Sequence, residues 1–264
     1  MIKTLGKKMW ILYQISEWYV ILTGKKRKTQ KIMKQLKGSY KGGRCFIIGN
    51  GPSLTGEDLE QLKGEITFAS NRIYNIFDST HWRPTYYTIF DEGVSYGIIK
   101  NGMHEKINDC DCKMKFVREQ GYFVYRKFTS PICYLHSWYD RKYLDSPEFS
   151  EELDKGIFSI ATVTYAMIQI ARYMGFNEIY LLGMDNRYGR TLNRDGSITI
   201  NEGLKSYFGD QIQNVSPVAT WEMDAAYEYA EKYSRSHGFR IYNATRGGFL
   251  ETFERVSLDE VLSK

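Results

Sequence analysis

Three polar stretches follow apolar runs in this chain: Gly49-Asn50-Gly51-Pro52-Ser53 after Cys45 to Ile48, Ser70-Asn71-Arg72 after Glu65 to Ala69, and Asp91-Glu92 after Thr85 to Phe90. A fourth, Asp185-Asn186-Arg187-Tyr188, follows Asn177 to Leu182. The amides of Asn50 and Asn71 each carry a donor and an acceptor, which suits ribose hydroxyls or the edge of a base. Gly49 and Gly51 allow φ > 0 and let the backbone lie against a partner with no Cβ between. Their N–H groups, with a helix start behind them, suit an anionic phosphate. Together these loops describe a nucleotide pocket. Each taken alone has a plain steric reading as a turn or a helix cap.

Positioning those loops requires strands that end on one side of the molecule. Strand-like and helix-like segments alternate from Arg44 onward, which predicts a parallel sheet covered on both faces, with ligands bound beyond the carboxyl ends of the strands. Helices are expected over Gly56 to Leu62, Ala161 to Met174 (stopped by Gly175), Pro217 to His237 and Ser257 to Ser263. Strands are expected at Met114 to Val117, Tyr122 to Tyr125 and Arg240 to Tyr242 as well as at the runs above. Neither Gly-x-Gly-x-x-Gly nor Gly-x-x-x-x-Gly-Lys-Ser/Thr occurs, which disfavours dinucleotide dehydrogenases and P-loop enzymes. Asp109-Cys110-Asp111 has the look of a metal motif, but two acids in a polar loop are common, and no metal is expected.

The chain has 264 residues and a net charge of +5, unevenly placed. Met1 to Arg44 holds twelve Lys/Arg against the single acid Glu17, a formal +11, and the remaining 220 residues carry −6. Trp10, Ile11, Leu12, Trp18, Tyr19, Ile21 and Leu22 lie among these cations, as expected of an amphipathic helix at an anionic membrane interface. A helix docked on the protein's own core or on a second subunit would show the same pattern. We therefore expect a basic amphipathic segment over 1–43 and one α/β catalytic domain over 44–264. Nucleic acid is not an expected partner, because the basic residues do not continue into the main body. The four cysteines, Cys45, Cys110, Cys112 and Cys133, form no disulfide or zinc pattern and read as reduced thiols, and no cleavable signal or spanning segment is expected.

The segments FIIGNGPSL, FASNRIY, ATVTYAMIQIARYMGFNEIYLLGMD and IYNATRGGFLETF resemble the bacterial sialyltransferases of glycosyltransferase family 42 and related proteins of surface-polysaccharide clusters. The similarity runs from about Arg44 to Val256, and the wider superfamily also contains an archaeal pterin pyrophosphokinase. The resemblance implies a Rossmann-like, mainly parallel sheet with helices on both faces, the sialyltransferase-type variant of the GT-A fold. It implies transfer of a CMP-linked acidic sugar, such as sialic acid, to a hydroxyl of a bacterial surface glycan, without a metal. Gly49, Asn50, Gly51, Ser53 and Asn71 match its nucleotide-binding positions. Ser159 or Thr162 matches a hydroxyl residue opening the long helix, and Tyr188, with Arg187 as charge partner, matches a phosphate-binding tyrosine. The family's catalytic histidine is not matched: Tyr207 stands in the corresponding segment, and Asp91, Asp185 and Asp210 are the carboxylate candidates for the general base. Expected partners are a nucleotide-sugar donor, a glycan or lipid-linked oligosaccharide acceptor, an anionic membrane surface and further copies of the chain. The expected location is the cytoplasmic face of the bacterial membrane. Two other readings stand beside this one: a pyrophosphokinase acting on a pterin-like alcohol, and an inactive membrane-surface scaffold.

Overall fold

The computed structural model describes residues 2–91, 97–129, 131–138, 146–159, 161–201 and 217–264. Its strands are β1 (Arg44–Ile48), β2 (Thr67–Ser70), β3 (Tyr86–Ile89), β4 (Met114–Arg118), β5 (Ile132–Leu135), β6 (Ser137–Trp138), β7 (Ile157–Phe158), β8 (Glu178–Leu182), β9 (Arg190–Leu192), β10 (Ile198–Ile200), β11 (Arg240–Asn243) and β12 (Glu254–Arg255). The helices are α1 (Ile2–Leu22), α2 (Lys25–Leu36), α3 (Gly56–Gln61), α4 (His104–Asn108), α5 (Tyr122–Tyr125), α6 (Val163–Met174), α7 (Thr220–Ser236) and α8 (Leu258–Leu262). One sheet takes the order β12-β11-β8-β1-β2-β3-β4-β5, and every neighbouring pair in it is parallel. The chain builds outward from β1 in one direction through β5, then returns to lay β8 against the other side of β1. That reversal is the switch point at which open α/β sheets leave a crevice beyond the strand ends.

The strands alternate their side chains between two cores, as residues buried on both faces must. Cys45, Ile47, Phe68, Tyr86 and Phe116 face the core filled by α6 and α7, with Tyr165, Ile168, Ala226 and Tyr227. Phe46, Ile48, Ala69, Tyr87 and Val117 face the other core, with Leu59 of α3 and Leu258 of α8. Thr162 caps α6 by accepting from the Thr164 N–H, and Gly175 ends it at φ 97°. Segment 122–125 forms a helix where a strand is expected. Tyr122 and Tyr125, three residues apart, both turn into the second core, which helical spacing allows and strand spacing does not.

The basic N-terminal helices cover the sheet's β5 edge. The Tyr134 N–H of that edge donates to Thr29 Oγ1 of α2 at 3.0 Å, and Met33 of α2 is fully buried in the first core. One face of α1 lies on residues 119–125: Val20 is buried, Tyr19 stacks on Tyr122, and Glu17 pairs with His136. No helix among the described residues is long and apolar enough to cross a membrane. The four cysteines are free and buried.

Candidate active site

The crevice at the switch point is built first by backbone. Gly49 N–H donates to Leu182 O at 2.8 Å and Gly51 N–H to Gly183 O at 2.9 Å. A Cβ on Gly49 would sit 2.3 Å from Gly183 O, and one on Gly51 would sit 1.8 Å from Asp185 Oδ2. Neither glycine adopts a left-handed φ. The two glycines therefore serve contact between the β1 and β8 loops, where the sequence suggested a positive-φ phosphate cradle. Their amide hydrogens are spent inside the protein. The start of α3 is also occupied: Thr55 and Asp58 form a capping box, and Arg246 pairs with Asp58. Ser53 Oγ donates to Asp185 Oδ2 at 2.7 Å, which locks the carboxylate over the glycine turn.

Side chains supply the recognition surface. Strands β8, β1, β2 and β3 are consecutive neighbours, so their carboxyl ends together span about 14 Å, three strand spacings. These ends and the loops after them carry buried acceptor atoms with no hydrogen-bond partner among the described residues: Asn186 Oδ1, Asn50 Oδ1, Asn71 Oδ1 and Thr88 Oγ1. Orphaned buried polar atoms are costly and rare in native interiors, and a run of them at a crevice marks a place for donors from outside. The amides are aimed by their other ends, since Asn50 Nδ2 donates to Ser70 O at 3.2 Å and Asn186 Nδ2 to Asp224 Oδ1 at 2.9 Å. Asn71 and Asn186 both hold left-handed backbone, φ 55° and 49°. Tyr87 fixes the first of these by donating its hydroxyl to Asn71 O at 2.5 Å. Strained backbone that surrounding contacts enforce tends to collect at functional sites.

The sequence-derived residues fall around this row unevenly. Asp91 is exposed, two residues beyond β3, and Asp185 lies beyond β8 against the glycine turn. Tyr188 has its hydroxyl pushed above the ordinary tyrosine range, first by burial and then by Tyr227, Asp224 and Asp185. Arg187 is exposed and sits 4.9 Å from the centroid of the Phe249 ring, at the mouth of the crevice. Of the two hydroxyl candidates, Thr162 caps α6, and Ser159 bonds the Ser137 hydroxyl beside the β6–β7 pair. Tyr207 and Asp210 lie outside the described residues. Asp109 and Asp111 precede β4 and so sit at the amino ends of the strands, opposite the crevice. His81 precedes β3 at that same end, and His136 is engaged by Glu119 and Glu17. Asn186 and Thr88 escape the sequence reading as named ligands, although the place directly after or within the end of a strand is the signal that finds them.

A family described as 6-hydroxymethylpterin diphosphokinase MptE-like matches residues 23–191. The MAf glycosyltransferase from Magnetospirillum magneticum AMB-1 superposes with a TM-score of 0.55 at 18% identity, over 84% of this chain and 35% of that one. The chain thus spans about a third of that structure's length. The sialyltransferase CstII from Campylobacter jejuni, in complex with a substrate analogue, cytidine-5'-monophosphate, matches at a TM-score of 0.45 and 16% identity, over 82% of this chain and 86% of that one. No curated protein matches the chain.

Proposed function

The chain belongs to the 6-hydroxymethylpterin diphosphokinase MptE-like family, and from that premise we propose that it is a nucleotide-dependent transferase, working as a glycosyltransferase on a CMP-linked acidic sugar. The observation that carries this reading is the row of unpartnered acceptors Asn186, Asn50, Asn71 and Thr88 across the switch point. Ribose hydroxyls and an exocyclic base amine are donors of the kind such a row accepts. In the reaction, a carboxylate, Asp91 or Asp185, takes the proton of an acceptor hydroxyl. The hydroxyl oxygen bonds to the anomeric carbon, and the bond from that carbon to the phosphate oxygen breaks, releasing CMP. Arg187 and Tyr188, on the β8 loop, would take up the phosphate charge as it develops. The acceptor is a glycan or lipid-linked oligosaccharide of the bacterial surface.

A diphosphokinase acting on a pterin-like alcohol is the second reading, favoured by the family's own description. The same crevice would then hold ATP, with magnesium on its phosphates. A thermal-shift and calorimetric panel of CMP, CDP, UDP, GDP and ATP, with and without magnesium, separates the two, because a ligand that binds only the native state raises its stability. CMP binding without magnesium, lost in Asn71→Ala, supports sugar transfer. ATP binding only with magnesium replaces it with the second reading. No binding by any nucleotide defeats both.

A further inference from the structure

We propose that α1 and α2 form a docking surface for an anionic lipid bilayer, independently of the reaction carried out in the crevice. A helix packed on a water-soluble body normally turns its apolar stripe inward and its polar face outward. From Ile11 to Leu22, α1 is largely apolar on both its faces. Ser16 and Val20 are buried against the body, and Glu17, the sole charged residue from Met9 to Gly24, is turned inward onto His136. The opposite face presents Ile11, Ile15, Trp18 and Leu22 at spacings of four, three and four residues, so they stand in one line. Trp18 is 62% and Leu22 78% exposed, with Ile11 and Ile15 near one half. This ridge runs about 16 Å along the helix. Contiguous exposed apolar ridges on soluble bodies mark interaction surfaces.

What covers the ridge is indicated by its neighbour. After the left-handed turn at Gly24, α2 opens on Lys25, Lys26, Arg27 and Lys28 and continues with Lys31 and Lys34, with no acid in the helix. Lys26 reaches Glu119, while Arg27, Lys31 and Lys34 line a groove of about 540 Å³ with Gln30 and Gln35. Every one of those five side chains can donate a hydrogen bond, and three are cations. Lipid phosphates are the complement of that groove, and acyl chains are the complement of the ridge beside it. An interfacial tryptophan and snorkelling lysines fit the boundary between the two layers. Docking is thus built into the same two helices that close the β5 edge. It would hold the protein on the surface that carries lipid-linked substrates.

The test is co-sedimentation of the full chain with vesicles of phosphatidylcholine, alone or with about one third phosphatidylglycerol. The expected result is binding to the anionic vesicles and at least tenfold weaker binding to the neutral ones. Trp18→Ser with Leu22→Ser, and separately Lys31→Glu with Lys34→Glu, should each cut anionic binding at least tenfold. Thermal unfolding should be unchanged in both, since all four side chains are exposed. Equal binding to both vesicle types, no binding, or binding that survives both double variants overturns the proposal. So does a dimer in light scattering that the Trp18, Leu22 variant dissolves while the vesicles stay bare, because the ridge would then belong to a second copy.

Discussion

His136 fastens α1 to the body, and its replacement by glutamine should remove a defined part of the protein's pH-dependent stability. Its Nδ1 hydrogen is donated to Glu119 Oε1 at 2.6 Å, with Glu17 Oε1 at 3.3 Å and Lys26 Nζ on Glu119 at 2.8 Å. The hydrogen bonds to Glu119 and Glu17 outweigh burial and raise the imidazole from 6.5 to about 9. Glu17 is lowered in turn, chiefly by its bond to His136. A difference of that size corresponds to about 3 kcal/mol, which partial exposure and solvent screening reduce to about 2 kcal/mol. Because the folded-state value is raised, this stability is complete below 6.5 and is lost as pH rises through about 9. The lowered Glu17 acts in the other direction and in the other window, losing its contribution only as pH falls below 4.5. Thermal unfolding of the wild type and of His136→Gln at several values between about pH 6 and pH 10 reads the difference. The wild type should start about 5 °C higher and converge on the variant by the upper end. Tyrosine and lysine titrations are common to both proteins and cancel in the comparison. Curves that stay parallel across the range refute the reasoning, and so does a variant that is unaltered at every pH.

Asn71→Gly should separate stability from binding: glycine relieves the left-handed backbone at φ 55°, for a gain of up to about 1 kcal/mol, while nucleotide affinity falls at least tenfold with the lost acceptor. A calorimetric titration showing unchanged affinity would remove Asn71 from the site. Gly51→Ala should cost about 3 kcal/mol in chemical unfolding, since its Cβ would meet Asp185 Oδ2 and, at 2.6 Å, Gly183 O. Wild-type stability in that variant would mean that the two loops are not packed as described.

Much of the sheet is legible in the sequence because most of its strands are short apolar runs ended by a turn signal, whereas β5 and the two-residue, charged β12 are not among the expected strands. The runs at 45–48, 85–90 and 177–182 contain β1, β3 and β8 almost as they stand, and the run at 65–69 is displaced by a residue or two from β2. The order of strands is not legible, since parallel pairing is decided by crossovers that no local pattern records. The stretch 122–125 misleads because Tyr and Phe favour strands in general, whereas here the outcome is set by which rings reach the core. The N-terminal charge of +11 is visible at once, yet it cannot tell a docked helix from an interfacial one. The structure gives α1 one docked face and leaves the opposite face exposed.

The glycine turn shows how one residue pattern can answer two different physical demands. Two glycines around Asn50 suggest a cradle for phosphate, because close backbone approach to an anion and close approach to another strand's loop ask for the same residue. Only the geometry separates them: Gly183 and Asp185 fill the space that a ligand would need above Gly49 and Gly51. A carboxylate, bound by Ser53, stands where an anion was expected. On the proposed reading, the nucleoside therefore lies along the asparagine row. Its phosphate extends toward the loop that carries Arg187 and Tyr188, where Arg187 rests on Phe249. That placement makes a specific demand, since Arg187→Ala should weaken binding of CMP much more than binding of cytidine, whereas Asn71→Gly should weaken both alike. Calorimetry with the two ligands decides it, and an Arg187→Ala protein that loses cytidine and CMP equally would return the phosphate to the glycine turn.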